Sequence, residues 1–144
     1  MKKMNNIGLT LNKSEFDSEF IQGSLDCRNV MMRFFCNDID LFESFFLLIL
    51  NRANKTTGYV KISQGGTAGT VVDLKIVAKY AIDSLATSVV IAHNHPSGNT
   101  TPSSADRAIT RKIADGLNLF DIKLLDHIIL TSESYYSFAD NGDL

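Results

Sequence analysis

Apolar residues fall along the chain in short, bounded runs. Phe45-Phe46-Leu47-Leu48-Ile49-Leu50 is continuous, strand-sized and closed by Asn51, the pattern of a strand covered on both faces. Arg52 to Gly58 is polar and turn-like, and Gly58 to Ser63 supplies a partner strand, so a hairpin is predicted. Gly65-Gly66 and Gly69 mark an irregular loop after it. Asp73 is placed to cap a helix whose apolar stripe is Leu74, Val77, Ala78, Ala81 and Leu85. Ser88 to His93 is β-branched and reads as an inner strand. Asn94 to Pro102 holds both prolines and Gly98 and reads as a loop. A helix is predicted over Ser103 to Gly116, with Ala105, Ile109, Ile113 and Leu117 on its apolar side. Strands follow over Lys123 to Thr131 and Tyr135 to Phe138.

Ahead of the hairpin the pattern weakens. Met1 to Gly23 is polar and aperiodic and reads as an arm or tail, with one short element around Glu15 to Ile21. Ser24 is a candidate cap for a helix from Leu25 to about Phe35, with Leu25, Val30, Met31 and Phe34 as its apolar positions. The alternation of strands and helices predicts an α/β or α+β domain in three layers. Residues 1–23 form the expected arm and residues 24–144 the expected domain.

At 144 residues and 15.9 kDa the chain suits one domain. Its 44% hydrophobic and 21% charged content excludes global disorder. No apolar run reaches the roughly 18–20 residues of a membrane helix. Met1-Lys2-Lys3 is not followed by an apolar segment, so no secretory signal is expected. Cys27 and Cys36 lack CxxC spacing and read as small buried hydrophobes. A reduced, cytoplasmic setting and no membrane partner are the simplest expectations. Fourteen Lys and Arg against sixteen Asp and Glu leave a net charge of −2, which gives no general pull toward nucleic acid. Local support for DNA contact is limited to Arg107, Arg111 and Lys112 on one helix, with Arg52 and Lys55 in a turn.

One stretch concentrates the chemistry: Ala92-His93-Asn94-His95-Pro96-Ser97-Gly98, followed by Pro102-Ser103-Ser104-Ala105-Asp106. Positions i and i+2 at a strand end point to the same side, which sets the imidazoles of His93 and His95 side by side. Asp106, in the first turn of the next helix, can return a carboxylate toward them. Two His and one carboxylate with a fourth position for water is a catalytic zinc arrangement, able to acidify water and polarise a carbonyl. The same residues have a purely structural reading. Ser103-x-x-Asp106 has capping-box spacing, and the two histidines can be ordinary loop residues.

The string His93-x-His95-Pro96, then Ser103 and Asp106, resembles the motif of the JAMM (JAB/MPN) metallo-isopeptidases without a gap. The wider set resembles the RadC branch of that family: His93 to Gly98, Pro102-Ser103, Asp106, Leu125-Asp126-His127, Gly65-Gly66-Thr67, Tyr136-Ser137-Phe138 and the strand opening at Glu43. The likeness runs from about Ile39 to Leu144. It implies a JAB/MPN domain with a cytidine-deaminase-like mixed sheet flanked by helices. It implies zinc on His93, His95 and Asp106, Glu43 as general base, and Ser103 as donor to a developing oxyanion. RadC proteins usually carry a helix-hairpin-helix-type segment before this domain. Met1 to Gly23 is too short for one and has no G-x-G hairpin signature, so a single-domain form is expected. The implied activity is zinc-dependent cleavage of a peptide or isopeptide bond in a peptide or protein substrate. The alternatives are a RadC-type DNA-repair-associated protein and a metal-binding interaction domain with little activity. His93-Asn94-His95 is not an HNH nuclease motif, because such nucleases spread those residues over a ββα unit. A zinc deaminase is excluded because His-x-Glu and CxxC are missing. His127, inside a strand, is expected to be buried and hydrogen-bonded near the site rather than a metal ligand.

Overall fold

The computed structural model describes residues 1, 3–6, 8–35, 37–66 and 69–144. Cys36 and Thr67, both singled out above, lie outside the described residues. The elements are α1 (Ser24–Met32), β1 (Ser44–Leu50), β2 (Thr56–Gln64), α2 (Leu74–Asp83), β3 (Ser88–Asn94), α3 (Ser104–Asn118), β4 (Lys123–Leu130) and β5 (Tyr135–Ser137). They build one five-stranded sheet in the order β2-β1-β3-β4-β5. β1 runs antiparallel to β2 and β3, β3 and β4 are parallel, and β5 is antiparallel to β4. The parallel pair is joined through α3, as parallel neighbours require a crossover.

Alternation along the strands divides the core. Phe46, Leu48 and Leu50 of β1 and Val90 and Ala92 of β3 meet Cys27, Val30 and Met31 of α1 on one face. Phe45, Leu47, Ile49, Val89 and Ile91 meet Val77 and Ala81 of α2 and Ile113 and Leu117 of α3 on the other. Every residue of β1 and β3 is buried, which explains the apolar runs Phe45 to Leu50 and Val89 to Ala92 within them. This is a mixed α/β sheet between helices, the architecture expected. The hairpin joins β1 to β2, and Asn51 turns the chain by accepting the Ala53 and Lys55 amides on its side-chain oxygen. Asp73 caps α2 by accepting from the Lys75 amide. Among the described residues no helix is long and apolar enough to cross a membrane.

Several local expectations are corrected. Ser24 does not cap α1. Gly23 holds the cap position with no side-chain bond, and the Ser24 hydroxyl turns instead to Tyr135 and Asp140. The α1 helix ends at Met32 rather than Phe35. The amides of Arg33, Phe34 and Phe35 reach back only three residues, so the last turn tightens and stops. Leu25 is exposed, because the packed side of α1 is Cys27, Val30 and Met31. Leu85 lies past the end of α2 at positive φ and is exposed, since a residue turning the chain there leaves the helical stripe. Ala105 is also exposed. β2 begins at Thr56, two residues before the predicted start, because Thr56 pairs with Leu50. Around Glu15 to Ile21 the only element is an isolated bridge from Phe20 to Lys55. There the Thr56 amide donates to the Glu19 carbonyl and the Ile21 amide to the Asn54 carbonyl, so the end of the arm is tied to the hairpin and Ile21 is buried.

Candidate metal centre

β3 aims its odd and even residues at different partners. Val89, Ile91 and His93 face α2 and α3, whereas Val90, Ala92 and Asn94 face α1. His93 pairs with Phe45 in register, and the two rings stack at 5.9 Å between centroids. His95 lies one residue past the strand, yet its amide still donates to the Leu130 carbonyl at 2.9 Å. That bond prolongs the ladder and keeps His95 on the side of His93. Their Nε2 atoms are 2.9 Å apart.

The start of α3 brings the carboxylate. Ser103 Oγ accepts from the Asp106 amide at 3.0 Å, and Asp106 Oδ2 accepts from the Ser103 amide at 2.8 Å, a complete capping box. The capping box is formed, and the same Asp106 side chain also turns toward the two histidines. The carboxylate that closes the box also sets Oδ1 3.2 Å from His93 Nε2 and Oδ2 3.2 Å from His95 Nε2. Glu43 stands further off, with Oε1 3.7 Å from His93 Nε2 and 3.9 Å from His95 Nε2. Glu43, His93 and His95 each offer one ligand atom within 4.8 Å of the others.

Proton positions decide what this cluster can hold. His95 Nδ1 is 2.7 Å from the Asn99 carbonyl. A carbonyl only accepts, so Nδ1–H donates and the neutral ring leaves Nε2 as a lone pair. Lone-pair atoms of His95, Asp106 and Glu43 thus converge, an arrangement that calls for a cation. Burial raises the Asp106 carboxyl, but an Nε2 proton taken up by a neighbouring imidazole, His93 or His95, hydrogen-bonds to it and outweighs burial, holding it well below the ordinary carboxylate range. The His95 imidazole is pushed up, chiefly by its hydrogen bond to Asp106. The pocket therefore favours positive charge, either a proton on His95 or a divalent ion in its place. Two imidazoles and carboxylate oxygens suit such an ion.

Glu43 is positioned from the opposite face of the sheet. Asn94, predicted as loop, is the last residue of β3 and is fully buried. Its amide nitrogen donates to the carbonyls of Ile39 and Phe42 at 2.7 Å each, and its oxygen accepts from the Ser44 amide at 2.8 Å. Three bonds from one side chain clamp the segment that carries Glu43. On the other side the Gly65 amide donates to the Glu43 carbonyl at 2.8 Å. A Cβ on Gly65 would lie 1.6 Å from the Gly69 carbonyl oxygen, so only glycine fits. Sequence reasoning missed this clamp, whose partners are backbone groups some fifty residues away. It also missed Thr110, which sits one helical turn beyond Asp106 with its hydroxyl against the Asp106 carbonyl. The i, i+4 spacing from Asp106 was the available signal.

His127 is fully buried, packed between Phe45 and Phe138, and burial pushes its pKa well down. Glu43, His93, His95, Ser103 and Asp106 all line one cleft of about 770 Å³, walled by Phe45, Val72 and Ile109. The basic group on α3 is less free than its sequence suggests, because Arg107 pairs with Asp143 at 2.9 Å.

A mixed sheet between helices with this cluster at the end of its parallel pair defines the JAB/MPN class of α/β domain. The chain belongs to the RadC-like JAB domain family, whose model matches residues 21–143. It is 46% identical over 100 residues to a UPF0758 protein of Flavobacterium johnsoniae, a stretch covering 69% of this chain and 44% of that protein. It is 41% identical over 100 residues to UPF0758 protein YfjY of Escherichia coli K12, covering 69% of this chain and 62% of that one. A UPF0758 protein of Neisseria gonorrhoeae is 34% identical over 136 residues, 94% of this chain and 60% of its own length. The chain thus spans about half the length of the curated relatives it matches.

Proposed function

We propose that this chain is a zinc-dependent hydrolase of the JAMM type that cuts a peptide or isopeptide bond in a peptide or protein substrate. The observation that carries the reading is the convergence of His93 Nε2, His95 Nε2 and the Asp106 carboxylate within 3.2 Å, with Glu43 one step further out. His93, His95 and Asp106 would hold the ion, and their donor set matches a catalytic zinc site. When bound, zinc supplies Lewis-acid chemistry, acidifying water and polarising an amide carbonyl. The Glu43 carboxylate, whose Oε1 lies 3.7 and 3.9 Å from the two imidazole nitrogens, would take a proton from the attacking water and pass it to the leaving amine. The Ser103 hydroxyl accepts in the capping box and still has its hydrogen to give to a developing oxyanion. Phe45, Val72 and Ile109 wall the cleft and lower its polarity, which strengthens both contacts.

Elemental analysis of the purified protein, with an Asp106→Ala control, is the first test. About one zinc per chain, lost in the control, is expected. The same donor set also serves Fe(II), and the assay separates the two metals. Neither metal bound after add-back would overturn the reading. Glu43→Gln then distinguishes base from ligand: a base predicts retained zinc and lost amide turnover, whereas loss of zinc would make Glu43 a ligand. Zinc retained with no turnover in the wild type, across a peptide and isopeptide library, would leave a metal-binding interaction domain.

A further inference from the structure

His127 is a buried titratable residue with no part in the reading above. Its surroundings fix where its proton sits. Thr110 Oγ1 lies 2.6 Å from the Asp106 carbonyl oxygen. A carbonyl only accepts, so the single hydroxyl proton of Thr110 is donated there. Thr110 then presents only lone pairs to His127 Nδ1, 2.6 Å away, and that nitrogen must carry a proton. A second proton would bury an imidazolium between the rings of Phe45 and Phe138, at a large desolvation cost. The neutral ring leaves Nε2 bare. His93 Nδ1 is 2.7 Å from that nitrogen and so donates to it. The remaining nitrogen of His93, Nε2, faces His95 and Asp106.

We infer that Thr110 and His127 form a positioning relay that sets the tautomer of His93 and aims its Nε2 at the metal centre. The chain of bonds begins at the Asp106 carbonyl and returns to the Asp106 carboxylate. One residue of α3 thus anchors both ends, and the register of α3 against β4 and β3 decides which nitrogen His93 offers. A histidine as acceptor here is an unusual choice beside the carboxylate or carbonyl that commonly orients a ligating imidazole. It avoids adding another negative charge beneath a cluster that already holds Glu43 and Asp106. Neither Thr110 nor His127 itself lines the cleft, so both act through His93.

The inference rests on the metal-site reading, and its test separates the two. Long-range ¹⁵N–¹H correlation spectra of histidine rings in the metal-free wild type, near neutral pH, read the tautomers directly. Protons on His127 Nδ1 and His93 Nδ1, with His127 Nε2 bare, are expected. A proton on His127 Nε2 would overturn the relay, whatever the protein does with metal. Zinc affinity by chelator competition gives the second readout. Thr110→Val removes the acceptor at nearly constant shape and should weaken zinc binding about 10–100-fold, while Thr110→Ser should stay near wild type. Equal affinities for the two variants would also overturn it. A wild type that binds no zinc would sink the metal reading instead, with the ring protons still deciding the relay.

Discussion

Single side chains in this protein carry two duties at once, and that makes their substitutions informative. Asp106 closes a capping box and faces both imidazoles. Ser103 accepts a cap bond while its hydrogen stays available. Ser103→Ala is therefore expected to cost about 1 kcal/mol of stability for the lost cap and roughly 10²–10³-fold in amide turnover for the lost oxyanion donor. Thermal denaturation beside a rate assay measures the two effects, and a rate loss no larger than the stability loss explains would remove the oxyanion role. Asn94 shows the same economy without touching the site. Asn94→Ala strands the Ser44 amide and the carbonyls of Ile39 and Phe42 in a buried place, which should cost roughly 2–4 kcal/mol. Urea unfolding measures it; a loss well below 1 kcal/mol would mean that water satisfies those groups. The convergence of His93, His95, Ser103 and Asp106 on one cleft was legible because they lie in one stretch. Asn94 and Thr110 were not, because their value comes from backbone partners that the fold delivers from other elements.

Elements buried on both faces were readable, and elements defined by their partners were not. β1 and β3 announce themselves through the apolar runs Phe45 to Leu50 and Val89 to Ala92, because helices cover both sides of them. The Ser24 cap failed because a hydroxyl at that position finds stronger partners in Tyr135 and Asp140, which only the folded chain supplies. Leu85 failed because helical periodicity does not reveal that the chain turns at positive φ after Asp83. The junction of β4 and β5 supplies the prediction at this scale. Asp126 accepts from the His127 and Ala139 amides and the Ser137 hydroxyl, holding β5 and its following turn against β4. Burial nevertheless pushes its carboxyl above the ordinary value of 3.8, against those hydrogen bonds. The folded state then binds more protons than the unfolded state between that value and the raised one. Stability from this group falls as pH rises through the window and is fully recovered below it. An asparagine keeps the accepting oxygen and cannot ionise. Asp126→Asn should gain stability relative to wild type as pH rises from about 4 toward neutrality, measured by denaturant midpoints at each pH. A stability difference that is flat with pH, or that favours the wild type increasingly, would show that the hydrogen bonds outweigh burial.

Across the whole molecule the candidate metal centre lies where separate parts of the chain meet. Glu43 enters from the segment before β1, His93 and His95 from the end of β3, Asp106 from the start of α3, and His127 from β4. These parts are brought together only by the complete sheet, so an unfolded chain has no such cluster. An ion bound there acts on the folded state alone, and its binding energy becomes folding energy. At free zinc one hundred times the dissociation constant, the gain is about 2.7 kcal/mol. For a domain of this size that corresponds to a rise in melting temperature on the order of 5–10 °C. Calorimetry with graded zinc should show the midpoint climbing with the logarithm of metal concentration. Asp106→Ala should melt lower because the carboxylate half of the capping box is gone, and should not respond to zinc. Thr110→Val should respond with the same slope but require about 10–100 times more metal. A wild-type midpoint unmoved by zinc would mean that this convergence of acceptors is held together by a proton on His95, and that Asp106 serves the fold rather than a metal.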